Sequence, residues 1–155
     1  MSIIAKNDSD FKRLKLPEAG TTQAVCCAVW DVGDQATQFV NDDGTQKIQR
    51  KVVIAWELAE KIDDPESDFN GKPYMLSKTY TLSLNDKSNL RLDLKSWRGK
   101  DFTDEEIKAG FDLERLIGIN CLIGVTHVEK GNGRTYANIT AILPLPKGTE
   151  KLKVT

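Results

Sequence analysis

The chain has 155 residues, of which 29% are charged and 39% hydrophobic, enough for one folded domain with a sizeable core. The formal net charge of −1 argues against a protein that coats polyanions by bulk charge. No apolar run approaches the roughly 18–20 residues that span a membrane, and the N-terminal stretch lacks a signal peptide's apolar region, so the expected location is the (host) cytoplasm.

Residues 1–20 read as a polar arm punctuated by Pro17 and Gly20, with a poorly ordered start. The domain is expected over 21–148, and 149–155 as a short basic tail. Residues 22–32 (TQAVCCAVWDV) predict the first strand. Residues 33–44 follow as a connection ending in Asn41-Asp42-Asp43-Gly44, a strong turn signal. Residues 47–58 (KIQRKVVIAWEL) predict a second strand. Ile48, Val52, Ile54, Trp56 and Leu58 share its apolar parity, with Lys51 and Glu57 opposite. The acidic stretch 57–68 (ELAEKIDDPESD) reads as a solvated loop.

Residues 76–99 (LSKTYTLSLNDKSNLRLDLKSWRG) read as a strand running into an amphipathic helix. Leu76, Lys78, Tyr80, Leu82 and Leu84 alternate with Ser and Thr, the period of a strand with one buried face. Asn85 is a candidate cap for a helix over 86–98, with Asp86 in its first turn. Leu90, Leu94 and Trp97 form its apolar stripe, and Gly99 ends it. Two short helical turns are expected in 102–117, the first with Thr103 and Glu106 as a capping box and broken at Gly110. Residues 118–129 and 134–143 predict the last two strands, joined by a hairpin loop at 130–133.

The fold class is therefore mainly β with one principal helix, in the order β-β-β-α-β-β. That is the order of an OB-fold, a five-stranded Greek-key barrel whose helix plugs the bottom. OB-folds commonly bind oligonucleotides on the face of strands two and three.

The wording of the chain adds to its pattern. RKVVIAWEL (50–58), SKTYTLSLNDKSNLRLDLKSWRG (77–99), FDLERLIGINCLI (111–123) and TYANITAILPLPKG (135–148) resemble a family of small proteins from tailed bacteriophages and prophages. Its members are described as OB-fold, single-stranded-DNA-binding proteins of the replication and recombination region. The resemblance runs over about residues 15–148. It implies an OB-fold and a phage setting, and suggests nucleic-acid binding.

Enzyme chemistry finds little to stand on, and the chain reads as non-enzymatic. The single histidine, His127, shares parity with Ile119, Cys121, Ile123 and Val125, the row of a packed or rim residue. Six positions along a strand would put Cys121 and His127 about 20 Å apart, too far for a nucleophile–base pair. The three cysteines form neither a disulfide framework nor a metal pattern. Asp63, Asp64, Glu66 and Asp68 lack the glycine and terminal glutamate of an EF-hand. Phosphate-loop and dinucleotide signatures are absent, and no cofactor is expected.

Single-strand binding needs cations for phosphate and rings for bases. The candidates are Lys51, Lys78, Tyr80, Arg91, Lys95, Arg98 and Tyr136. Trp30 and Trp56 share parity with apolar neighbours and are expected in the core. Single-stranded DNA is the expected partner, with RNA left open because the choice depends on a 2′-hydroxyl. A homo-oligomer is compatible with the sequence. The alternative is a protein–protein module on an OB-fold, a partner of phage or host replication and recombination proteins or an antagonist of host defence. Bacterial single-strand-binding proteins often recruit partners through an acidic C-terminal tip, whereas the segment PKGTEKLKVT (146–155) is basic.

Overall fold

The computed structural model describes residues 15–129, 131 and 133–155. The start of the expected arm, 1–14, and two residues of the expected 130–133 hairpin loop lie outside the described residues. Five strands form one antiparallel sheet: β1 (Gly20–Val40), β2 (Gln46–Lys61), β3 (Pro73–Thr81), β4 (Asn120–Glu129) and β5 (Thr135–Leu143). Its order is β3-β2-β1-β4-β5. The first part of β1 pairs with β4 and the rest with β2, so one long strand serves both halves of the sheet. Edge strands β3 and β5 approach each other without a hydrogen-bonded ladder. The result is the expected OB-like order, mainly β and partly open.

Two helices and a 3-10 turn lie between β3 and β4: α1 (Asn89–Arg98), α2 (Asp104–Ala109) and the turn Leu113–Leu116. Helix α1 packs against β5 and β3, where the barrel is open. Its buried residues are the expected Leu90, Leu94 and Trp97. Trp97 is 5% exposed, and its ring lies 5.8 Å from that of Trp56. Its Nε1 donates to the Asn120 carbonyl at 3.2 Å. Gly99 ends α1 with φ of 76°, a left-handed conformation costly for residues with a Cβ, and its N–H donates to the Lys95 carbonyl. Thr103 and Glu106 make the expected capping box of α2.

The helix starts later than expected. Ser88, not Asn85, is the cap, and its hydroxyl accepts from the Arg91 N–H. Asn85 turns its side chain onto the Lys87 N–H instead, so Asp86 falls in a turn ahead of the helix. The strands also differ from expectation at their ends. β1 runs on through the expected connection to Val40, and β2 extends to Lys61, so the acidic stretch begins as strand. β3 begins at Pro73, which brings Tyr74 into it and buries it.

Register explains the largest correction. Cys26 pairs with Trp56, yet Ala28 pairs with Ala55, so Cys27 is an extra residue in a β-bulge. A bulge reverses the parity of everything after it. Before it, Ala24 and Cys26 face the core; after it, Val29 does. Trp30, expected in the core, is thereby turned outward and is 47% exposed. Trp56, on the uninterrupted strand, is buried as expected.

The segment 149–155, expected as a tail outside the domain, lies on the sheet. The Asn120 side chain donates to the Leu152 carbonyl and accepts from the Leu152 N–H, at 3.0 and 2.8 Å. Gln23 donates to the Glu150 carbonyl, and the Thr155 N–H and hydroxyl both donate to the Glu57 carboxylate. Among the described residues, Asn120 is the buried polar side chain that joins this segment to β4.

Candidate nucleic-acid interface

The outer face of β1–β2–β3 is assembled by the bulge. Antiparallel partners share a face, so three rows can be read from the pairing. Ala28, Ala55 and Ser77 form one; Trp30, Val53 and Thr79 the next; Gly33, Lys51 and Thr81 the third. Small side chains in the first row leave one flank of the Trp30 indole uncrowded. Gly33 puts no side chain beside Lys51. The Lys51 ammonium donates to Thr81 Oγ1 at 2.6 Å and Gln49 Oε1 at 3.2 Å, and meets no carboxylate among the described residues. A half-exposed ring beside such a cation is the pair that stacking and phosphate contact require.

Beyond this face β1 and β2 continue as a two-stranded ribbon to the turn at Asn41–Gly44. Phe39 and Ile48 on the ribbon are 61% and 62% exposed. Arg50 is held by Asp31 in an ion pair. Lys47 is exposed there as well.

The other expected contact residues are placed differently. Tyr80 is 2% exposed and faces the core, so its ring has no open side for a base. Its hydroxyl donates to Asp93 Oδ2 at 2.6 Å; burial, and then that bond, push the phenol well above its ordinary range. Lys78, on the same face, reaches Asp93 at 2.8 Å. Arg91 pairs with Asp101 and donates to the Leu84 carbonyl. Lys95 lies at 4.0 Å from Asp101 and is exposed. Arg98 pairs with Glu106 at 2.7 Å, with its guanidinium 4.1 Å above the Phe102 ring. The basic group on α1 is therefore matched by carboxylates and braces the helix against its surroundings. Tyr136, on β5, is half-exposed and opposite Val128, away from the Trp30 face in the strand order. Of the seven expected residues, only Lys51 lies on the face with Trp30.

His127 is exposed near the end of its core-facing row, and its Nε2 lies 2.7 Å from the Pro17 carbonyl oxygen. Burial pushes the Cys26 and Cys121 thiols up to about 12, which keeps them protonated and unreactive. No helix is long and apolar enough to cross a membrane among the described residues.

The ion pairs set an acid limit. The Arg91 hydrogen bond, first, and the Phe102 N–H hold Asp101 below its ordinary value. The Thr103 N–H, and then Arg98, do the same for Glu106. A lowered folded pKa means that the stabilisation is complete above the unfolded values of about 3.9 and 4.3 and is lost as pH falls through the folded ones. Thermal melting should hold steady down to about pH 5 and then fall. The double variant Asp101→Asn, Glu106→Gln should start lower at neutral pH and show a shallower acid decline. An equally steep decline in that variant would place the acid sensitivity elsewhere.

No protein-family model matches this chain, and comparison with curated proteins found no match.

Proposed function

We propose that this protein binds single-stranded DNA, without strong sequence preference, on the outer face of β1–β2–β3. The observation that carries the reading is the half-exposed Trp30 beside Lys51, on the strands where OB-folds commonly take oligonucleotides. Stacking on an indole contributes about 1–3 kcal/mol per base and accepts any base. The face offers little polar apparatus for reading base edges. The family resemblance of segments 77–99 and 135–148 supplies the setting, phage replication or recombination. The role is one of binding, not catalysis.

Few cations serve this face. Lys51 and the ribbon's Lys47 give a salt dependence of about −1 to −2 in log K against log salt, at about −0.7 per phosphate neutralised. Modest affinity follows. Fluorescence anisotropy with labelled oligo-dT tests this, with oligo-U as competitor to separate DNA from RNA. The expected result is micromolar binding in about 50 mM salt that weakens along that slope. Absence of binding under those conditions would sink the reading and favour a protein–protein role.

A further inference from the structure

A pocket of about 570 Å³ opens between the C-terminal end of α1, the approach to β4 and the segment after β5. Its walls include Leu116, Ile119, Pro144 and Leu145. Three cationic side chains line it, Arg98, Arg115 and Lys151, and no carboxylate does. Arg115 and Lys151 are exposed and form no ion pair among the described residues. A cavity of this size with an apolar lining and cations of one sign fits a ligand with an apolar body beside negative charge.

The chemistry of the walls separates a peptide from a nucleotide. Recognition of a base needs an open ring face or unspent polar groups at the base edge. Trp97 lines the pocket but is buried in the core and spends its N–H on Asn120. The one side-chain amide in the lining, that of Asn120, is engaged by Gln23 and Leu152. What is left is aliphatic surface and cations. From this charge complementarity we infer that the pocket docks a segment of a partner protein that presents a bulky apolar side chain flanked by carboxylates. The apolar side chain enters between Leu116, Ile119 and Leu145, and the carboxylates meet Arg115 and Lys151. This site is separate from the Trp30 face and does not depend on the nucleic-acid reading.

The test uses the full chain and a fluorescein-labelled peptide, Ser-Glu-Asp-Glu-Asp-Phe with a free carboxylate, followed by fluorescence polarisation. Saturable binding at roughly 10–100 μM is expected. Replacing the peptide's Phe by Ala, or reversing charge with Arg115→Glu and Lys151→Glu, should each weaken it about tenfold. Both protein positions are exposed, so melting should be unchanged. Ile119→Asp, which blocks the apolar wall, is the second variant and should also abolish saturation. Trp30→Ala should leave peptide affinity as it was, even if it removes DNA binding. No saturable binding, or binding indifferent to both protein variants, overturns the inference. So does loss of oligo-dT affinity in the charge-reversed protein with displacement of the peptide by oligo-dT, which would make the pocket a nucleic-acid subsite.

Discussion

Trp97→Ala is expected to lower unfolding stability by about 3–5 kcal/mol, the usual cost of truncating a buried tryptophan. A domain's whole stability is about 5–15 kcal/mol, so the variant should be largely unfolded at moderate temperature. Three losses coincide at this residue. The indole closes the Leu90–Leu94 stripe that seats α1 over the open side of the barrel. It packs at 5.8 Å against Trp56, itself wholly buried. It also donates to the Asn120 carbonyl, whose residue holds the segment around Leu152 on the sheet. Removing the ring leaves a cavity and an unpaired carbonyl together. Urea unfolding followed by circular dichroism measures the effect, and Trp97→Phe, which keeps the volume but not the N–H, should fall between. An unfolding midpoint for Trp97→Ala equal to that of the parent would show that α1 is seated by other contacts.

The features legible in the sequence are those that a local pattern carries. Leu76, Lys78 and Tyr80 alternate with Ser and Thr, and the structure keeps that alternation; Leu90, Leu94 and Trp97 recur at helical spacing and are buried together. Gly99, the Thr103 capping box and the Asn41–Gly44 turn act within a few residues, so their residue types suffice. Trp30 was misplaced because period-2 counting cannot detect an extra residue. Cys27 is inserted between two registers, and everything after it changes face. The ribbon was hidden for another reason. Both its faces are solvated, so 33–44 has no alternation to betray a strand. Asn85 and Ser88 are equally good caps three residues apart, and a side-chain bond to Lys87 decides between them. The basic stripe on α1 looked available because its acids lie elsewhere in the chain. Asp101 and Glu106 meet it only after the turn at Gly99.

Trp30→Ala should separate binding from folding in the opposite sense to Trp97→Ala. Its side chain is half-exposed on the outer face, so truncation should change stability by no more than about 0.5 kcal/mol, as at other surface positions. Affinity for oligo-dT should fall about tenfold or more, because one stacked base contributes about 1–3 kcal/mol. Trp30→Phe should recover most of it, since a smaller ring still stacks. Lys51→Ala should act differently. It removes one phosphate contact, so affinity drops most at low salt and the salt slope becomes shallower by about 0.7. The indole also reports directly. Trp56 and Trp97 are buried, so quenching of tryptophan emission by oligo-dT should come from Trp30 and vanish in Trp30→Phe. The bulge itself offers the sharpest check on how the face is made. Deleting Cys27 would restore simple alternation and turn Trp30 inward against the row of Val52 and Ile54, at the cost of crowding that row. If Trp30→Ala bound oligo-dT as tightly as the parent, with its slope unchanged in Lys51→Ala, the outer face of β1–β2–β3 would not be where single strands bind.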